Sequence, residues 1–415
     1  MRITNQAHKA ARLAVALLLG LLVLEMTGTS ARAAHHGDSA RLGDSKPAGQ
    51  PTMAQAAALF EKVAAGIPGG DIPPCRNLAD PYPEFNGVAV DPVNNVVLFS
   101  DTNLKSLLLY PRDAASHAGE ITPPLRQILG PATYLSFACG VALDPRHKTI
   151  YAGENDVGDD IASFPYSANG DYPARTLATP HEVYGLGLSF KLGQEAITVE
   201  QDDQIVFFKL GATGAAPPLR EVRGERTGLA DPHGLFWDDA HDEVVVTNHG
   251  NWARGAWDPD YQGGGHYQPP SVEVFAADAQ GDAKPLRVIA GPKTQLNWPA
   301  GVSVADDEIA VANMAAGSVT IYRRTASGDV APIRQLKGPR TGITIPMGVA
   351  LDPVNHELWV ANFGHTGLVF DAAADGDVAP KRIIRNAPAG TPVAGFGNPM
   401  AMAFDTRRQE LLVPN

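Results

Sequence analysis

The sequence has 415 residues, a formal net charge of −12 at pH 7 and 44% hydrophobic residues. This hydrophobic content is sufficient for a packed core and excludes a chain that is disordered throughout. An acidic chain without a basic run is not typical of proteins that bind nucleic acid or anionic membranes, so neither partner is expected. The 42 glycines and 34 prolines make up about 18% of the chain, against an average of about 12%, which favours many short strands joined by turns.

The N-terminus has the pattern of a secretory signal peptide over residues 1–33. A basic start precedes the apolar run from Leu13 to Leu24, and Ala31-Arg32-Ala33 has the small-x-small pattern of a cleavage site. This run is shorter than the roughly 20 residues that span a bilayer, so an uncleaved anchor is the less favoured alternative. The sequence therefore predicts a periplasmic or secreted protein with no membrane attachment after cleavage, and a monomer. Residues 34–52 are polar, lack periodicity and predict a flexible leader.

A repeat occupies the rest of the chain. Its first half is a glycine, an apolar run that usually ends in Asp, a turn rich in Asp, Pro and Asn, and a second apolar run, which is the pattern of a β-hairpin. Seven such starts occur, at Gly87, Gly140, Gly185, Gly234, Gly301, Gly348 and Ala401.

The second half of the repeat is an aromatic-ended run, a glycine turn and an arginine, which is expected to be a paired surface residue. Six of these halves follow the first six starts, whereas the seventh start has none, and an unmatched second half lies between Leu59 and Arg76. This arrangement predicts an all-β, seven-bladed β-propeller over residues 53–415, closed by N-terminal strands that complete the C-terminal blade. Counting only the complete repeats would give six blades.

The segment "GVALDPVNHELWVAN", together with "SVTIYRR", resembles the NHL-type and YVTN-type repeats of bacterial β-propellers. The resemblance covers roughly residues 57–415 and implies the propeller fold. Such folds host enzymes, ligand binders and protein-interaction platforms, so the resemblance implies no single function.

Two rings of residues are expected to surround the mouth of the propeller channel. The first ring holds the residues just before the repeat starts: Asn86, Cys139, Tyr184, His233, Ala300, Met347 and Met400. The second ring holds the ends of the second apolar runs, most of which are expected to cap turns: Asp101, Glu154, Glu200, Asn248, Asn313, Asn362 and Asn415.

One repeat carries an insertion on this face. The starts at Gly234 and Gly301 are 67 residues apart, whereas the others are 45 to 53 apart. Long insertions in tight repeats usually carry function. The aromatic residues of this insertion predict a lid or binding wall for a ligand. The expected ligand-binding residues are Trp252, Trp257, Tyr261, Trp298, Asn86 and Tyr184.

Histidines and carboxylates near the mouth suit a divalent metal ion such as Ca²⁺, Zn²⁺ or Mg²⁺. The candidate ligands are His233, His249, His266, Glu200 and Glu154, although a hydrogen-bonded structural histidine is the alternative at each His position. The sequence lacks GxSxG, HExxH, CxxC and a glycine-rich phosphate loop, so serine nucleophiles, thiol redox chemistry and nucleotide binding have no support.

Two functions remain open. The first is an exported propeller that binds a protein partner or a small ligand on its channel face. The second is a metal-dependent lyase or hydrolase, similar to a lactonase, with its site at the channel mouth. The two cysteines, Cys75 and Cys139, are expected to be free thiols, because the repeat register places one on an outer strand and the other at the channel.

Overall fold

The computed structural model describes residues 80–250, 252–253, 266–392, 403–405, 407 and 410–412. These residues form antiparallel sheets and two short 3₁₀ turns, Pro131–Thr133 and Pro292–Thr294. None of them lies in a helix that is long and apolar enough to cross a membrane. The predicted signal peptide, leader and N-terminal strands lie outside the described residues, and so does Cys75.

Six four-stranded sheets, here called blades 1 to 6, follow one another along the chain. Blade 1 contains β1 (Phe85–Asp91), β2 (Val96–Asp101), β3 (Ser106–Pro111) and β4 (Arg126–Ile128). Blade 2 contains β5 (Ala138–Asp144), β6 (Thr149–Glu154), β7 (Asp160–Pro165) and β8 (Arg175–Ala178). Blade 3 contains β9 (Val183–Ser189), β10 (Gln194–Val199), β11 (Gln204–Lys209) and β12 (Arg220–Val222).

The second half of the ring has the same plan. Blade 4 contains β13 (Pro232–Asp238), β14 (Glu243–Asn248), β17 (Ser271–Ala276) and β18 (Arg287–Ala290), and the short pair β15 (Trp252–Ala253) and β16 (His266–Tyr267) lies between its second and third strands. Blade 5 contains β19 (Pro299–Ala305), β20 (Glu308–Asn313), β21 (Ser318–Arg323) and β22 (Arg334–Leu336). Blade 6 contains β23 (Pro346–Asp352), β24 (Glu357–Asn362), β25 (Thr366–Asp371) and β26 (Arg382–Arg385).

The hairpins of the repeat form as the sequence predicts. The carboxylate of Asp91 accepts backbone N–H bonds from Val93 and Asn94, and Asp352 does the same for its own turn. The second strand of each blade is buried on both faces between neighbouring blades, which is why it reads as a nearly continuous apolar run.

The expected pairing of the outer arginines is seen in three blades. The guanidinium groups of the fourth strands bind carboxylates at the starts of the second strands, in the pairs Arg287–Glu243, Arg334–Glu308 and Arg382–Glu357. These pairs lie at the outer edge of the propeller and carry no role at the channel.

The prediction of seven blades is wrong, because the six complete blades close the ring by themselves. Blade 1 and blade 6 share one apolar cluster, in which Phe99 and Tyr110 pack with Trp359. Backbone N–H groups of Ser116 and Thr122 also donate to carbonyls of blade 6. Among the described residues, the two strands of the seventh repeat, β27 (Ala403–Asp405) and β28 (Glu410–Leu412), pair only with each other.

The repeat glycines explain why the ring has six members. Each of the first six comes so close to the innermost strand of the next blade that a Cβ atom would lie within 2.7 Å of a carbonyl oxygen. The last contact joins Gly348 of blade 6 to the Asn86 carbonyl of blade 1, which completes the circle. The seventh repeat has Ala401 at this position. Alanine has a Cβ atom, and the boundaries at the six glycines leave no room for such an atom.

Candidate functional site

The innermost strands surround a channel that is lined by the six repeat glycines and by the Val or Leu that follows each of them. Asn86, Cys139, Tyr184 and Met347 line it beside the repeat glycines. Cys139 is a free, buried thiol, and burial raises its pKa well above the usual value. Its Sγ atom accepts a hydrogen bond from the Asn86 side-chain amide at 3.5 Å. The wall therefore offers neutral groups, and the ionisable groups lie at the mouth.

Most members of the second predicted ring are structural caps. Glu154 accepts hydrogen bonds from the backbone N–H groups of Ser136 and Phe137, each at 2.7 Å, and from the Ser136 hydroxyl. Asn248 and Asn362 cap the connections into their own blades in the same way. These contacts assign Glu154 to its own blade rather than to the histidines.

Glu200 differs because it stands one residue beyond the capping position of blade 3. Val199 pairs with Val183, as Asp101 pairs with Phe85 in blade 1, so Val199 occupies the capping position. Glu200 follows it and is released from that role. Its Oε1 atom lies 3.0 Å from Nε2 of His233, at the boundary between blades 3 and 4.

Two histidines of blade 4 meet beside Glu200. The rings of His233 and His249 stack with their centroids 3.2 Å apart, and both side chains are buried. Asp231 touches both: its backbone carbonyl lies 3.0 Å from Nδ1 of His233, and its Oδ2 atom lies 3.7 Å from Nδ1 of His249. One ligand atom from each of Asp231, His233 and His249 lies within 4.8 Å of the other two.

Burial sets the protonation of this group. It lowers the pKa of His233 to about 3 and that of His249 well below its usual range, and the neighbouring His233 lowers the pKa of His249 further. Burial, and then the Asp231 charge, raises the pKa of Glu200 well above its usual range. Both imidazoles are therefore neutral at pH 7, which is the form that binds metal ions.

The ring stack extends the site to the surface. Tyr184 lies against His233 with the ring centroids 4.1 Å apart, and Trp298 of blade 5 stacks on His249 at 5.5 Å. Trp298 is 48% exposed and has a φ of 49°, a left-handed conformation that is strained for a bulky residue. The exposed ring of Trp298, held on a strained backbone beside the buried imidazoles, forms one wall of the mouth.

The structure describes the other predicted site residues only in part. The backbones of Trp252 and His266 belong to the short β15–β16 pair, where Trp252 pairs with Tyr267. Trp257 and Tyr261 lie outside the described residues. Asn86 lies in the channel wall rather than beside the histidines.

Several ionisable residues near the mouth are absent from the sequence-based prediction. Asp231 stands two residues before His233, and its N–H donates to the Asp203 carboxylate at 2.8 Å. Burial raises the pKa of Asp203 to about 7. The sequence contains a signal for the position of Asp231, namely its spacing from the repeat glycine, because this glycine fixes the register of the connection that precedes it. A second group, formed by Asp80, Glu84 and His365, joins blades 1 and 6.

No protein-family model matches the sequence, and no curated protein matches it. Solved structures are similar in fold. Hydrazine synthase from Kuenenia stuttgartiensis is 12% identical with a TM-score of 0.50, over 72% of this chain and 99% of that chain. The WD40 β-propeller domain of Doa1 is 12% identical with a TM-score of 0.47, over 81% of this chain and 91% of that chain. A chain of a nidogen/laminin complex is 16% identical with a TM-score of 0.45, over 70% of this chain and 89% of that chain.

The chain is a β-propeller repeat protein. At 12% identity, the likeness to hydrazine synthase shows the fold alone. The fold is consistent with a binding role, and the chemistry has to be argued from the mouth of the channel.

Proposed function

We propose that this protein binds a divalent transition-metal ion at the mouth of its channel, through His233, His249 and Asp231, and uses the ion to hold a small ligand. The observation that carries the proposal is the Nε2 atom of His249, which is buried and has no hydrogen-bond partner. A buried polar atom without a partner costs about 1–3 kcal/mol. A bound cation would satisfy this atom and draw together the neighbouring donors.

The donor set favours one class of metal ion. Two neutral imidazoles and a carboxylate are typical ligands of Zn²⁺ and similar ions, whereas Ca²⁺ and Mg²⁺ prefer oxygen atoms alone. Nδ1 of His233 faces the Asp231 carbonyl oxygen, which can only accept a hydrogen bond, so Nδ1 carries the proton and Nε2 presents its lone pair. The burial of both rings keeps them neutral and ready to bind.

Trp298 supports the second half of the proposal. Its half-exposed ring extends the stack of His233 and His249 to the solvent, so a planar group on a ligand can lie against it while an oxygen atom of the ligand approaches the metal ion. We therefore favour a small molecule with a flat group and an oxygen donor over a protein partner.

Metal analysis of chelator-stripped protein tests the site. Zn²⁺ titrated by calorimetry should bind the wild type, and His249→Ala should weaken binding at this site by about 100-fold. His241→Ala is the matched control, because His241 is in the same blade but pairs with Asp238 at the far end of the first hairpin. Equal zinc affinity in His249→Ala and His241→Ala would contradict the proposal.

A specific observation favours a second function, metal-dependent hydrolysis. Burial and the Asp231 charge raise the pKa of Glu200, whose Oε1 atom lies 3.0 Å from His233, and in its protonated form this carboxyl would serve as a general acid beside a metal-bound substrate. A panel of small lactones tests this function. Zinc-dependent ring opening that is lost in Glu200→Gln would support it, and no turnover of any lactone by the zinc-loaded wild type would count against it.

We further propose that the chain is exported and works as a monomer in the periplasm or outside the cell. The support is the signal-like pattern of residues 1–33 and the acidic composition of the chain. N-terminal sequencing of the protein recovered from a secreting host should begin at Ala34. A mature protein that retains Met1 would overturn this proposal.

A further inference from the structure

The boundary between blades 6 and 1 differs from the other five boundaries. At each of those five, the two neighbouring blades are consecutive in the sequence and are joined by a connecting segment. Blades 6 and 1 are the last and first blades of the sequence, so no such segment joins them directly. Among the described residues, this last boundary is held by side-chain and backbone contacts without a chain connection. A group that binds residues of both blades would therefore stabilise the ring most at this boundary.

A buried cluster of three ionisable residues occupies this boundary on the channel face. Asp80 and Glu84 precede the first strand of blade 1, and His365 lies in the loop before β25 of blade 6. One ligand atom from each lies within 4.8 Å of the other two. The side chains of His365 and Asp80 are only 3% and 4% exposed.

The hydrogen bonding of His365 favours a positive charge between its Nε2 atom and the Asp80 carboxylate. Nδ1 of His365 lies 2.7 Å from the Pro83 carbonyl oxygen, which accepts a hydrogen bond, so Nδ1 carries a proton. Nε2 faces Oδ2 of Asp80 at 3.0 Å, yet neither atom has a hydrogen bond of acceptable geometry. A neutral ring would point a lone pair at a carboxylate oxygen, which is repulsive.

We propose that His365, Asp80 and Glu84 bind a second divalent metal ion, of the Zn²⁺ class, which clasps blade 6 to blade 1. Zinc binds imidazole nitrogen and carboxylate oxygen at about 2.0–2.2 Å in a tetrahedral arrangement, which places neighbouring donor atoms about 3.3 Å apart. The 3.0 Å separation of Nε2 and Oδ2 is close to this value. The alternative explanation of this geometry is an imidazolium–carboxylate ion pair between His365 and Asp80 without metal.

The clasp is independent of the proposed site at His233 and His249. That site lies at the boundary between blades 3 and 4, half a ring away from the boundary between blades 6 and 1. The two sites share no residue. Loss of either one can therefore be measured in the presence of the other.

The test uses zinc stoichiometry and thermal unfolding of the full chain. His365→Asn is the main variant, because an Asn side chain can still donate to the Pro83 carbonyl and tolerates the left-handed φ of 65° at this position. In a His249→Ala background, chelator-stripped protein should bind about one equivalent of Zn²⁺, which raises Tm by a few degrees. Adding His365→Asn should abolish the Tm rise and weaken zinc binding at least 100-fold.

A second variant, Asp80→Asn, guards against a folding defect in the first, and both should show the circular dichroism of the parent. Equal zinc binding with and without His365→Asn would overturn the clasp. So would a His249→Ala protein that binds no zinc, which would assign the cluster to an ion pair. If instead the proposed site at His233 binds no zinc, the wild type should still bind one equivalent at the clasp, and His365→Asn should abolish that binding.

Discussion

Nε2 of His233 and Oε1 of Glu200 lie 3.0 Å apart across the boundary between blades 3 and 4. The ring is neutral and holds its proton on Nδ1, and burial raises the pKa of the Glu200 carboxyl, so that a proton on this carboxyl would face the imidazole lone pair. In the metal-free protein, Glu200→Gln should change the free energy of unfolding by less than about 1 kcal/mol, because the amide can still donate. Glu200→Ala should cost about 1–3 kcal/mol. Urea unfolding of both variants checks this, and a larger loss for Gln than for Ala would be inconsistent with a protonated Glu200.

Glu273 predicts a pH dependence of stability. Burial raises the pKa of this carboxyl to about 8, despite the Ser271 and Asn248 side chains, which lower it. The folded state therefore holds a proton that the unfolded state releases near pH 4.5, so this contribution to stability is lost as the pH rises from about 4.5 to 8. Glu273→Gln should remove that loss, which is on the order of 3–5 kcal/mol at pH 9 relative to pH 4, since one pKa unit corresponds to about 1.36 kcal/mol. Parallel pH profiles of unfolding for wild type and variant would contradict the prediction.

The Thr247 hydroxyl joins two blades. It accepts a hydrogen bond from the Gly234 N–H at 2.8 Å and donates one to the Ala300 carbonyl of the next blade at 2.5 Å. Thr247→Val keeps the shape but leaves two buried backbone groups without partners, so we expect a loss of about 2–4 kcal/mol. Thr247→Ser, which keeps the hydroxyl, should lose at most about 1 kcal/mol. Denaturant midpoints of the two variants provide the measurement, and equal values would show that the hydroxyl has no such role.

Trp298 should show the cost of its backbone conformation. Its φ of 49° favours glycine, and both Trp298→Gly and Trp298→Ala remove the ring that stacks on His249. The Gly variant should therefore be more stable than the Ala variant by about 1 kcal/mol, because only Gly escapes the left-handed penalty. Thermal unfolding compares the pair directly. An Ala variant as stable as the Gly variant would mean that the strain is absent.

The six-blade ring predicts that a chain of residues 77–392 folds alone. All six blades and the cluster of Phe99, Tyr110 and Trp359 lie within it. Its β-sheet circular dichroism should match that of the full chain in signal per strand residue, and it should unfold cooperatively. An aggregated or molten product would show that the ring needs the segments on either side.

The sequence predicts the blade plan well because each hairpin is specified locally. The turn carboxylates, the doubly buried second strands and the outer arginines all follow from patterns within one repeat. The number of blades does not, because it depends on which repeats fit between neighbours. The sequence pattern makes Ala401 an equivalent start, although the close approach at Gly348 and its counterparts leaves no room for a methyl group.

The candidate site was only partly accessible from the sequence. His233, His249, Glu200, Tyr184 and Trp298 stand at predictable positions of the repeat, and the structure brings them together. The sequence analysis misses Asp231, although this residue lies only two positions before His233. It misses His365 because the partners of this residue, Asp80 and Pro83, belong to blade 1. Which loops meet across a blade boundary depends on loop length and register. Val199 takes the capping position of blade 3, so Glu200, one residue later, faces His233 of blade 4.

The repeat glycines also separate two tasks within one short stretch of chain. Glycine lets the backbones of neighbouring blades touch, and the residue before each glycine supplies the carbonyl oxygen of that contact, whereas its side chain takes no part in it. Asn86, Cys139, Tyr184, His233, Ala300 and Met347 occupy these six places. Four of these side chains, Cys139, Tyr184, Ala300 and Met347, pack in one buried cluster although they come from four different blades. A new binding specificity engineered at the channel would therefore require coordinated changes in several blades.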